Sequence, residues 1–166
     1  MTKLIALALL VCALATPQTP PTVNPSALPS YMVGTGVEWN RYAAYPFGNV
    51  TSLAVRLGTS NLYSWSTADT PITATTPPQA SALRTGAAYI AAQSPTGSVF
   101  LVLLGQAGLA TTGNTTAAAF SGGVAVAIRV KKTHWYLMPC FRATGTSTTS
   151  TQPVPEIQAW YSFGGQ

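Results

Sequence analysis

The chain has 166 residues, enough for one domain, of which 47% are hydrophobic and only 7% charged. A water-soluble domain carries about 25% charged residues, so this deficit points to lipid contact or to a packed fibre. The formal net charge is +5, but no basic run exceeds Lys131-Lys132, and the scattered cations argue against a nucleic-acid partner.

Residues 1–15 read as a secretory signal. Lys3 precedes the apolar run from Leu4 to Ala15, and Ala13-Leu14-Ala15 supplies a small-x-small cleavage site. A spanning helix needs about 20 apolar residues, and no run is that long. Without Lys3, seven basic and three acidic residues remain, a net of +4. Residues 16–29, rich in Pro and Thr, read as an extended linker. The remaining segment, 30–166, carries eight candidate strands.

Strand one, Ser30–Arg41, puts Tyr31, Val33, Thr35, Val37 and Trp39 on one face and Met32, Gly34, Gly36 and Glu38 on the other. Strand two, Val50–Gly58, sets Thr51, Leu53, Val55 and Leu57 against Ser52, Ala54 and Arg56. Strand three, Leu62–Ala68, is read with Tyr63, Trp65 and Thr67 outward and Ser64 and Ser66 inward. Strand four, Ala82–Ala92, sets Leu83, Thr85, Ala87 and Tyr89 against Arg84, Gly86 and Ala88.

Strand five, Ser98–Ala110, is apolar on both faces, and Gln106 and Gly108 mark its inward side. Strand six, Ala119–Lys131, sets Phe120, Val124, Val126, Ile128 and Val130 against Ser121, Gly123, Ala125, Ala127 and Arg129. Strand seven, His134–Thr144, sets Trp135, Leu137 and Phe141 against Tyr136, Cys140 and Arg142, and Pro139 within it calls for a bulge. Strand eight, Glu156–Phe163, sets Ile157, Ala159, Tyr161 and Phe163 against Glu156, Gln158, Trp160 and Ser162.

The charges therefore share a face with Gly, Ala and Ser, a face too poor in bulk to build a core. The bulky face is uncharged. This inverts the pattern of a soluble sheet and fits a closed barrel with lipid outside and polar groups inside. The expected fold is all-β: an eight-stranded antiparallel up-and-down transmembrane β-barrel. Eight strands leave an interior just wide enough for side chains. Tight turns at Thr59-Ser60-Asn61 and Lys132-Thr133 alternate with longer connections such as Asp69–Ser81 and Gly145–Pro155, as periplasmic turns alternate with outer loops.

Glu38, Arg56, Arg84, Arg129, Lys131, Arg142 and Glu156 take the inward phase and form the candidate lumen charge network. Arg41, Asp69 and Lys132 fall at rims or turns. Glu38, Arg84, Arg142 and Glu156 belong to the outer half, and Arg56, Arg129 and Lys131 to the inner half, where they could hold an anion or simply hydrate the lumen. Arg142 and Glu156 are equidistant from Thr149 and are expected as cross-strand partners. Tyr31, Trp39, Tyr63, Trp65, Trp135, Tyr161 and Phe163 form the candidate aromatic girdles.

Nothing here assembles a catalytic site. His134 is the only histidine, follows a periplasmic turn, and suits an interfacial hydrogen bond. Cys140 is the only cysteine after the signal, so neither a disulfide nor a metal site is expected. No cofactor and no enzymatic activity are expected.

The signal, the alternating strands, the hairpin SGGVAVAIRVKKTHWYLMPCFRAT and the terminal PEIQAWYSF resemble a small eight-stranded outer-membrane β-barrel of the OmpA/OmpX type. That resemblance covers about residues 30–163. It implies the bacterial outer membrane, lipid as the surrounding partner, and insertion by the barrel-assembly machinery, which reads a terminal aromatic residue. Here Gly164-Gly165-Gln166 follows Phe163. The function expected is a structural or surface-interaction role with no identified ligand. The alternatives are a narrow passive pore and a secreted soluble β-protein, either an adhesin or a fibre subunit.

Overall fold

The computed structural model describes residues 23–24, 28–39, 47–71, 81–131 and 133–163. The signal segment, most of the linker, Arg41, Lys132 and the last three residues lie outside these. Eight strands follow one another: β1 Tyr31–Trp39, β2 Phe47–Arg56, β3 Leu62–Pro71, β4 Ser81–Gln93, β5 Val99–Thr112, β6 Thr115–Arg129, β7 Trp135–Thr146 and β8 Thr149–Phe163. Each pairs antiparallel with its sequence neighbours, and β8 pairs back onto β1, so the sheet closes into an up-and-down barrel. Closure removes the free edges that an open sheet exposes. No helix occurs among the described residues.

We call the end where β1 begins and β8 finishes the near end, and the opposite end the far end. Near-end turns join β2 to β3 and β4 to β5, and each contains a glycine at positive φ, Gly58 and Gly97. At the far end, β5 and β6 meet through Gly113-Asn114 with an unbroken ladder from Thr112↔Thr115 to Val99↔Ile128. β7 and β8 meet through Ser147-Thr148. The long connection expected over Gly145–Pro155 is therefore mostly strand. Threonine, which made that segment look like a loop, is a good strand former.

Pro139 causes no bulge. It keeps Ile157 of β8 as its partner, and the β6–β7 ladder passes from Ala125↔Cys140 to Ile128↔Leu137 without a change of register. The missing amide donor leaves a local gap in the ladder instead. Register shifts fall elsewhere, between Ile90 and Ala92 and between Thr144 and Thr146.

Facing is as expected on seven strands and reversed on β3. Tyr63, Trp65, Thr67 and Asp69 point inward and are buried, so Tyr63 and Trp65 are not girdle residues. Asp69 pairs with Arg84 inside the barrel, and that ion pair carries the whole strand's phase with it.

The interior also corrects the expectation of a lumen too poor in bulk. Its near half is an apolar core of Leu28, Tyr63, Trp65, Phe100, Tyr136 and Trp160 among others. Trp65 of β3 sits between Ala54 and Gly86, Phe100 of β5 opposite Ala127, and Trp160 of β8 opposite Gly34. Gly34 lies opposite Trp160 in the β1–β8 ladder, and a Cβ added there would sit 2.5 Å from the indole ring. The far half is polar. This two-layer interior positions the site.

Candidate functional site

The polar layer centres on Arg142. β7 turns it inward, where it is 1% exposed. Its Nη2 lies 2.5 Å from Glu156 Oε2, 3.3 Å from Glu38 Oε2 and 3.6 Å from Asp69 Oδ1. Arg84 from β4 pairs with the second Asp69 oxygen. Three carboxylates thus face two guanidinium groups largely buried inside the barrel, where an unpaired charge would be costly.

Amides and hydroxyls extend this network. Gln158 Nε2 donates to Glu156 Oε1 at 2.7 Å. Gln106 Oε1 accepts from Ser121 at 3.2 Å, from Thr67 at 3.4 Å and from Arg142 Nη1 at 3.5 Å. Gln106 Nε2 donates to the Trp65 carbonyl at 3.2 Å, tying the polar layer to the apolar one. Through these bonds β1, β3, β4, β5, β6, β7 and β8 are joined across the lumen as well as around the wall.

Above the network, a vestibule of about 330 Å³ occupies the far end. Glu38, Asp69 and Arg84 contribute to its lining, together with the hydroxyls of Thr112, Thr115 and Thr149. This chemistry suits hydrogen bonding to water or to a polar solute. It brings no nucleophile to a base. His134 sits at the near end, where its ring contacts Tyr161 at 5.8 Å and its carbonyl accepts from the Ser162 amide at 2.9 Å. Among the described residues, no three His, Cys, Asp or Glu side chains come together to hold a metal ion.

The seven charged residues read as one network separate into two groups. Glu38, Arg84, Arg142 and Glu156 come together, and Asp69, read as a rim residue, joins them at the centre. Arg56 instead caps the β2–β3 turn, donating to the carbonyls of Thr59 at 2.7 Å and Ser60 at 2.8 Å. Arg129 donates to the Thr133 carbonyl at 3.1 Å, and Lys131 is exposed on the same turn. No anion-binding cluster forms from these three. The signal that locates Asp69 was present: it shares parity with Tyr63, Trp65 and Thr67, as a lumen charge on an inward face must.

On the outer wall, Trp135, Tyr161 and Phe163 meet edge to face at the near end, with ring centroids 5.1 and 4.8 Å apart. Tyr31 pairs with Phe163 in the ladder beside them. At the far end Trp39 pairs with Phe47. No family model matches the chain, and no curated protein matches it.

Proposed function

We propose that this chain is a non-enzymatic barrel of the bacterial outer membrane, of the OmpA/OmpX type, with a structural or surface-interaction role. The observation that carries this reading is the polarity of the wall. Every charged residue within the strands (Glu38, Arg56, Asp69, Arg84, Arg129, Arg142, Glu156) takes the inward phase. The outer face exposes Leu83 at 65%, Leu109 at 58% and Phe141 at 54%. In water such a surface would be an aggregation hazard; in a bilayer it is the required solvent-facing side. The aromatic groups at both ends suit the two membrane interfaces.

The blocked interior favours a closed barrel over a passive pore. Trp160, Arg142 and Leu28 are each 1% exposed and stack along the lumen from both layers. The reading as a secreted soluble protein draws on one facet, the outer face of β3, where Ser64, Ser66 and Ala68 replace bulky residues. There Ser66 and Thr85 share a hydrogen bond of 3.0 Å, one hydroxyl donating and the other accepting, which lowers the cost of both in an apolar medium.

Cell fractionation with heat-modifiable gel migration tests the proposal. The expected result is detergent-extracted outer-membrane material that begins at Thr16 and runs faster unboiled than boiled. Recovery in a water-soluble fraction with a single migration would overturn it.

A further inference from the structure

The three carboxylate side chains of the sequence, Glu38, Asp69 and Glu156, all belong to the buried network. The cations outside that network therefore have no side-chain carboxylate left to pair with. At the near end these are Arg56, beside the β2–β3 turn, and Arg129 and Lys131, at the β6–β7 turn. The two turns lie on opposite sides of the barrel. Arg56 commits Nε, Nη1 and Nη2 to the carbonyls of Ser60, Leu28 and Thr59. Arg129 commits only Nε, to the Thr133 carbonyl, and Lys131 is exposed with no partner among the described residues.

The β6–β7 turn holds its charge in a fixed place. The Val130 amide donates to the Trp135 carbonyl at 2.9 Å, and the Thr133 amide and hydroxyl both donate to the Val130 carbonyl, at 3.1 and 2.8 Å. Trp135 follows the turn directly, half exposed on the outer wall, and meets Tyr161 edge to face. Lys132 lies outside the described residues.

Resting on the bilayer reading above, we propose that the β6–β7 turn binds the phosphate of an anionic phospholipid in the leaflet at the near end, with Lys131 and Arg129 as its counter-charges. Aromatic belts sit at headgroup level, so Trp135, Tyr161 and Phe163 set the turn at the depth of the lipid phosphates. Lys131 can lay its stem along the wall and hold its ammonium at that level. The uncommitted Nη1 and Nη2 of Arg129 form a fork that suits two phosphate oxygens. The pair does not enclose an anion within the lumen; it presents charge at the rim. A zwitterionic lipid carries its own cation beside the phosphate and gains less from a second. Two cations beside an aromatic cluster match one headgroup, whereas an acidic protein would need a basic face of about 800 Å².

The test uses the chain with Trp39→Phe, which leaves Trp135 as the exposed tryptophan because Trp65 and Trp160 are buried. The protein is folded into equimolar vesicles of phosphatidylglycerol and phosphatidylcholine, with bromine on the acyl chains of one lipid or the other. Each Lys or Arg near an anionic surface strengthens association about fivefold. Brominated phosphatidylglycerol is therefore expected to quench Trp135 more strongly, with a relative association constant of about five or more. In about 1 M salt, where the Debye length is about 3 Å, the preference is expected to vanish. Lys131→Gln with Arg129→Gln is expected to remove it at low salt, while brominated phosphatidylcholine still quenches and so shows the barrel inserted. Arg56→Gln, which removes a cation from the opposite side, is expected to leave it unchanged. Equal quenching by the two lipids with the turn unmodified overturns the site and leaves the bilayer reading standing; quenching by neither overturns both. A preference that survives the double substitution or high salt, or that Arg56→Gln weakens as much, overturns the assignment to this turn.

Discussion

Glu38 and Glu156 stand directly opposite each other in the β1–β8 ladder, and Arg142 reaches both from β7. Like charges in that position repel. Arg142 turns the repulsion into a three-strand link across the seam where the barrel closes. The sequence-based register made Arg142 and Glu156 direct partners. They are diagonal instead: Arg142 opposes Val154, and Glu156 opposes Cys140. The ion pair survives the two-residue offset because the guanidinium is long and both side chains remain on the inward face.

Loss of Arg142 should therefore cost more than loss of Glu156. Arg142→Met leaves three carboxylates with only Arg84, and is expected to destabilise by about 3–5 kcal/mol. Glu156→Gln leaves Arg142 with Glu38 and Asp69, and about 1.5–3 kcal/mol is expected from the lost ion pair and the lost charge on the acceptor of the Gln158 bond. Urea unfolding of the refolded barrel measures both. In the double variant the effects should fall short of additivity by about 0.5–3 kcal/mol. A larger loss for Glu156→Gln than for Arg142→Met would contradict the network.

On β6, Val126 faces out and Ala127 faces into the apolar core. Val126→Arg should block folding into bilayers, at a cost of about 2–4 kcal/mol at mid-depth. Ala127→Ser places a hydroxyl against an apolar wall and should cost about 1–3 kcal/mol, more than a polar lumen would impose. Folding yield into lipid vesicles, compared between the two variants, checks the facing. Equal yields at both positions would mean the strand is differently oriented.

Gly34 accommodates Trp160 by having no side chain. Gly34→Ala should push the indole out of place and destabilise by about 1–3 kcal/mol, as overpacking does. Adding Trp160→Phe should recover part of the loss, because the smaller ring leaves room for the methyl group. Denaturant unfolding of the single and double variants gives the answer. A Gly34→Ala protein as stable as the unmodified chain would refute the close packing seen here.

Strand count, antiparallel order and the facing of seven strands follow from alternation, because Glu38, Arg56, Arg84, Arg129, Arg142 and Glu156 fix the phase of six strands and Gln106 that of β5. On β3 the bulk of Tyr63 and Trp65 points to an outward face, and the structure turns both inward. Trp65 has room inside because its ladder neighbours Ala54 and Gly86 are small, and it meets Trp160 of β8 edge to face across the lumen, a contact between strands far apart in the chain. Asp69 alone could have set the phase correctly. The apolar core of the near half was illegible for the same reason. Its walls come from β1 through β8, and Leu28, which seals it, comes from a segment whose composition reads as linker. Registers at the far end depend on the shift near Gly145, and alternation does not reveal a bulge.

The most direct test of the account uses the four tryptophans, two on each side of the wall. Trp39 and Trp135 are about half exposed on the outside, and Trp65 and Trp160 are buried inside. One variant keeps the outer pair, with Trp65→Phe and Trp160→Phe; the other keeps the inner pair, with Trp39→Phe and Trp135→Phe. Each is folded into vesicles of phosphatidylcholine brominated on its acyl chains, and the fluorescence is compared with that in unbrominated vesicles. The account predicts strong quenching of the outer pair and weak quenching of the inner pair. Weak quenching of both, or stronger quenching of the inner pair, would contradict a barrel whose apolar outer wall meets lipid.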